Sequence, residues 1–189
     1  MPSEGSVEPV RTMSERESDT RAWDLYESPI GTLTLEAGPR GLSALHFPGR
    51  GHPPGRRTRG VGILSAAVSQ LEEYFAGERR SFELELDLRG TGLQLDVWRE
   101  LVAIPYGTTV SYSDLAGRVG RPDIARAVGA AVGQTPVPIV VPCHRVIGKD
   151  GSLTGYGGGL GRKQALLELE HETAGAPPAS SAFRQPALL

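Results

Sequence analysis

Cysteine is nearly absent from this chain: 189 residues hold one, Cys143. That excludes an internal disulfide framework and any zinc site built on several thiolates. Histidine is also scarce, and the four present, His46, His52, His144 and His171, show no ligand spacing, so no metal is expected. No apolar run approaches the roughly 20 residues of a membrane span. The opening stretch MPSEGSVEPVRTMSERESDTR has no apolar signal core. Neither sign of charge dominates, with 20 Lys and Arg against 22 Asp and Glu and a formal net charge of -2. The expectation is a cytoplasmic protein in a reducing setting, with no membrane partner. Its 39% apolar residues are enough for a sizeable core.

The charge that is there is unevenly placed. Residues 1–104 carry 12 Lys/Arg against 16 Asp/Glu, whereas residues 105–163 carry 7 against 3. Such a local excess suits a surface that meets phosphates, although a window this short also fluctuates by chance.

Residues 1–21 are polar and read as a disordered leader, and the tail 173–189 reads the same way. Between them the chain is α/β, of the α+β kind, in two parts. Over 22–90, WDLYESPIGTLTLEAGPRGLSALHF alternates between turn residues and predicts a β-hairpin or small meander. RGHPPGRRTRG reads as a flexible basic loop, Val61 to Phe75 as a helix ended by Gly77, and SFELELDL as a half-buried strand. Over 91–172, Thr91 caps a helix through Val102, and Ser111 with Asp114 makes a capping box for a second, short helix. After Gly120-Arg121-Pro122, a third helix runs from Asp123 to about Gly133. The last two form a helix-turn-helix in outline, or an ordinary helical hairpin. The third helix is rich in small residues, Ala125, Ala127, Gly129, Ala130 and Ala131, with one long side chain, Arg126. That is a poor reader of major-groove base edges; it suits close approach to a minor groove, or close helix packing.

Cys143 follows Ile139-Val140-Val141, which reads as a buried strand between Pro138 and Pro142. A lone cysteine is usually a small core residue, but His144 and Arg145 beside it are unusual company. A free thiol of pKa about 8.5 is only about 3% thiolate at pH 7, and lowering it by about two units would cost about 2.7 kcal/mol. His144 can accept the proton if a carboxylate orients it, and Glu168, Glu170 and Glu172 are available downstream. The glycine-rich TGYGGGLG fails both nucleotide-loop patterns and reads as a wall that a flat ligand approaches closely, with Tyr156 as a packing surface.

PCHRV at 142–146, followed by IGKDGSLTGYGGGL and an LLELE helix and preceded by IPYGTTVSYSDLA and ARAVGAA, resembles the O6-alkylguanine-DNA alkyltransferases. The resemblance is strong over 91–171 and general over 23–90. It implies irreversible, cofactor-free transfer of an alkyl group from O6-alkylguanine, and from O4-alkylthymine, in double-stranded DNA to Cys143 after base flipping. It further implies a monomer on the minor groove, with His144 linked to Cys143 through water, Glu170 holding His144, and Tyr112 donating to guanine N3. Arg126 would fill the gap left by the flipped base, with Ala125, Ala127, Gly129 and Thr135 at the DNA. Val146, Pro138, Tyr156 and Gly157 would line the pocket, the carbonyls of Cys143 and Val146 accepting from the guanine amino group. Three positions depart from the family pattern: Thr135 for an asparagine, Gly157 for serine or alanine, and Ala165 for a tryptophan. Three other functions stand beside transfer: a binding-only relative that recruits repair factors, a cysteine hydrolase and a transcription factor. The cysteine, the stability of a thioether and the alanine-rich helix argue against them in turn.

Overall fold

The computed structural model describes residues 21–49, 53–60 and 62–175. The expected leader (apart from Arg21), residues 50–52 and the tail beyond Gly175 lie outside the described residues. The first half is a four-stranded sheet in the order β3-β2-β1-β4, made of β1 (Ala22–Ser28), β2 (Gly31–Gly38), β3 (Gly41–His46) and β4 (Arg56–Arg57). β1, β2 and β3 are the expected antiparallel meander. Alternation sends Leu33, Leu35 and Ala37 of β2 to one face, where they are buried. Helix α1 (Gly62–Phe75) covers that face with Leu64, Ala67, Leu71 and Tyr74, a helical stripe. Burying each large side chain contributes about 1.5–3 kcal/mol. The basic loop differs from expectation: Arg56 and Arg57 pair in parallel with Ala22 and Trp23 as β4.

SFELELDL is not a strand. It alternates in burial, but makes a single bridge, Leu42 to Leu86, through Leu42 N to Glu85 O (2.8 Å) and Asp87 N to Leu42 O (2.9 Å). The β3 edge is shared, because Leu45 N donates to Pro136 O at 2.9 Å, so a longer ladder has no partners left.

The second half is helical. α2 (Gly92–Val102) starts at Thr91 in a full capping box with Gln94, and α3 (Tyr112–Arg118) starts at Ser111 in one with Asp114. A 3-10 turn, Pro122–Ile124, leads into α4 (Ala125–Gly133), two residues later than the expected start at Asp123, because Asp123 and Ile124 sit in the tighter turn. Helix α5 (Leu160–Thr173) closes the chain. No helix among the described residues is long and apolar enough to cross a membrane.

Ile139-Val140-Val141 is buried as expected but is a turn rather than a strand. Pro138 and Pro142 remove two amide donors, so no ladder can run through the segment. It closes on itself through Val141 N to Val137 O (2.9 Å) and forces Ile139 to φ 76°. Cys143–Arg145 then form a 3-10 turn that exits into β6 (Val146–Ile147). β6 pairs in parallel with β5 (Val110–Ser111), which sets the first residue of α3, Tyr112, against the turn that carries the thiol.

Candidate active site

Cys143 lies at a cleft of about 470 Å³, within the usual range for small-ligand sites of about 300–1,000 Å³. Thr135, Pro138, Tyr156 and Gly157 line it from the second half of the chain, and His46 and Phe47 from the end of the sheet. Phe47 was not expected here. Its ring packs on Tyr156 with centroids 5.5 Å apart and lies where a side chain on Gly158 would be, 2.7 Å from that Cβ position. The glycine loop thus admits one of the protein's own rings as well as presenting a wall. Arg162 pins this corner, donating to Ile30 O and Gly158 O at 2.8 Å each and lying over the Phe47 ring.

Behind the thiol is a buried polar cluster. His144 and Glu170 are both fully buried, with His144 Nε2 2.7 Å from Glu170 Oε1. Burial works to raise the Glu170 carboxyl, but the hydrogen bonds and charges of His144 and Arg145 bring it down to about 2. A carboxylate only accepts, so Nε2 carries the hydrogen. That leaves Nδ1 as the basic nitrogen, buried and without a protein partner among the described residues. Burial also lowers the histidine, keeping it neutral, against the pull of Glu170. Arg145 clamps Glu170 through Nε to Oε2 and Nη2 to Oε1, both at 2.9 Å, and donates to Ile104 O. Of the three candidate acids, Glu170 is the one inside; Glu168 and Glu172 are not among the buried residues.

The thiol itself is not held in the thiolate form at rest. Burial pushes it up to about 11, while the Thr135 hydroxyl and the Lys163 charge work the other way. The resting sulfur is a neutral thiol, so it needs a proton acceptor at the moment of attack. Lys163 was missed as a site residue. It is fully buried, donates to Val146 O and to Thr154 O (2.9 Å), and burial lowers it to about 8. The only sequence signal was a lysine inside the final helix, a residue that ordinarily points outward.

The other expected residues fall into two groups. Tyr112 stands beside the thiol with its hydroxyl donating to Thr154 O at 3.2 Å, and burial raises its pKa. Val146 O is already engaged by Lys163, and Cys143 O by Val146 N, so each carbonyl has one lone pair left. Arg126, Ala127 and Ala130 form the exposed face of α4, with Ala125 and Gly129 half-buried beside it and Val128, Ala131 and Val132 turned into the core. Arg126 is therefore outside the cleft. Thr135 belongs to the cleft rather than to the helix face, and its hydroxyl donates to Val132 O at 2.8 Å, joining the end of α4 to the thiol's surroundings. The positive excess over 105–163 is only partly a surface property, because Arg145 and Lys163 are interior.

Residues 92–172 match the family described as 6-O-methylguanine DNA methyltransferase, DNA binding domain, and residues 22–88 its ribonuclease-like domain. A methylated-DNA–protein-cysteine methyltransferase of Mycobacterium bovis is 53% identical over 152 residues, 79% of this chain and 92% of that protein. The crystal structure of the Mycobacterium tuberculosis O6-methylguanine methyltransferase is 48% identical, with a TM-score of 0.75 over 84% of this chain and 96% of that one. A structure of the same organism's protein in complex with DNA gives 50% identity and a TM-score of 0.73 over 83% and 96%. The cleft with its single buried cysteine, the polar cluster behind it and these likenesses agree: the chain belongs to the 6-O-methylguanine DNA methyltransferase family.

Proposed function

We propose that this protein repairs DNA by single-turnover transfer of the alkyl group of O6-alkylguanine, and of O4-alkylthymine, to Cys143. The observation that carries this reading is a lone thiol in a cleft, backed by a buried histidine whose other nitrogen is held by a carboxylate. The Cys143 proton passes to His144 Nδ1 through a water as Sγ attacks the alkyl carbon. The carbon–O6 bond breaks, an S–C bond forms, and Tyr112 donates its hydroxyl proton to guanine N3, to be reprotonated from His144. Glu170 holds the imidazole, and Lys163 favours the developing thiolate. The cleft takes one base out of the stack, between Pro138, Tyr156 and Gly157, and the lone pairs left on the Cys143 and Val146 carbonyls accept from its amino group.

Double-stranded DNA meets the exposed face of α4. The small side chains of Ala125, Ala127 and Gly129 admit a minor groove, and Arg126 fills the stack. Residues 22–90 and 91–172 act as supporting and DNA-binding units of a monomer. A cytoplasmic location supplies both the substrate and the reducing poise that keeps one thiol free. The test is intact-protein mass after incubation with a duplex containing O6-methylguanine: a gain of one methyl, mapped to Cys143, is expected. Tight lesion binding with an unmodified Cys143 would overturn the reading.

A further inference from the structure

Tyr74 sits on α1, in the half of the chain that carries none of the reacting residues above, and its side chain is fully buried. Phe75, Phe82 and Tyr106 enclose its ring at centroid distances of 5.3, 5.5 and 6.0 Å. The hydroxyl leaves that apolar cage at one point, donating to Glu170 Oε1 at 2.9 Å across 96 positions of sequence. The same oxygen accepts from His144 Nε2. We propose that Tyr74 is a positioning residue for alkyl transfer: by sharing Glu170 Oε1 with His144, it sets how strongly the carboxylate holds the imidazole and so how readily His144 takes the thiol proton.

The physical basis is competition for one acceptor. Each donor on a carboxylate oxygen withdraws electron density from the others, and hydrogen bonds to charged groups are the strong ones. Oε1 also takes Arg145 Nη2, while Oε2 takes Arg145 Nε and Gly107 N. Without the Tyr74 hydroxyl, more of the carboxylate's charge is felt at Nε2–H. The imidazolium is then stabilised, and His144 protonates at a higher pH. The charged and titratable groups facing His144 are Glu170 and Lys163 from α5, Arg145 beside it and Tyr74 from α1. Of these donors, Tyr74 is a neutral one that can be removed by deleting a single oxygen. The inference rests on the proposed role of His144 as proton acceptor.

The test is the pH dependence of the single-turnover rate on an O6-methylguanine duplex for the wild type, Tyr74→Phe and Phe75→Leu. His144 must be neutral to accept a proton, so the rate falls on the acid side of its pKa. Tyr74→Phe is expected to move that acid limb upward, with the rate on the wild-type acid limb down about three- to ten-fold and the rate on the plateau above it changed by less than about two-fold. Phe75→Leu disturbs the same aromatic cluster but none of the donors on Glu170, and is expected to leave the limb in place. A limb unmoved in Tyr74→Phe, or moved equally in Phe75→Leu, overturns the inference. A wild-type profile without an acid limb would instead fail the His144 assignment on which it rests. If Tyr74→Phe does not fold, proton NMR of the wild type decides. A slowly exchanging Tyr74 hydroxyl proton with a cross-peak to the His144 Nε2 proton is expected, and its absence overturns the proposal.

Discussion

Glu170 accepts from Tyr74, His144, Arg145 and the Gly107 amide, a convergence of four donor groups on one buried carboxylate. Glu170→Gln leaves the Arg145 guanidinium buried without its counter-charge, and is expected to cost about 3–5 kcal/mol, read from urea unfolding. The pH dependence has a definite sign. Glu170 titrates at about 2 in the folded protein, below the ordinary 4.5, so its stabilisation is complete above the ordinary value and is lost as pH falls from there toward 2. Acid unfolding of Glu170→Gln should lack that slope. Lys163→Met removes the cation that favours the thiolate, and should slow transfer by about ten-fold or more at neutral pH, measured as a single-turnover rate. Cys143 and His144 were legible because they stand side by side in one motif, whereas the pattern left Glu170 open among three downstream acids and only the family resemblance singled it out. Lys163 and Tyr74 were not legible: their polar ends meet groups that only the fold brings near, and neither neighbour in sequence hints at it.

At the scale of elements, capping chemistry was the most legible feature. Thr91 and Ser111 start their helices as read, because both signals lie within four residues. Strands were less so. Alternation in SFELELDL reports a half-buried extended segment correctly, but whether it joins a ladder depends on what else occupies the β3 edge, here Pro136. The apolar run before Cys143 was misread for the related reason that burial alone does not distinguish a strand from a turn. The loop over 155–159 is packed tightly enough to test. Gly158→Ala places a methyl 2.7 Å from the Phe47 ring and should destabilise by about 1–3 kcal/mol. Phe47→Leu in the same chain should recover part of that loss, as a double-mutant cycle of melting data would show. On α4, Arg126→Ala should slow repair in duplex DNA far more than reaction with the free base, since only the duplex requires extrusion. Equal losses on both substrates would remove its role in the stack.

For the whole molecule, the net charge of -2 hides the relevant quantity, which is how many cations in the second half reach the surface. Arg118, Arg121, Arg126 and Lys149 are exposed, whereas Arg145 and Lys163 serve the interior. If Arg118, Arg121, Arg126 and Lys149 each neutralise a phosphate, the logarithm of duplex affinity should fall against the logarithm of salt with a slope no steeper than about -4, measurable by fluorescence anisotropy. A much steeper slope would require cations from elsewhere in the chain. The two halves also depend on each other more than their patterns suggested: the first lends Phe47 to the cleft wall and Tyr74 to the cluster behind the sulfur. The left-handed Ile139 lies in the segment that joins α4 to Cys143. A β-branched side chain at φ 76° costs on the order of 1–3 kcal/mol, and the prolines on either side of the turn have no φ freedom to spread that distortion. The segment from the end of α4 to Cys143 is accordingly a stiff strut, already wound to its limit. A displacement of α4 is expected to move the sulfur with it, since the turn between them has little freedom to absorb it.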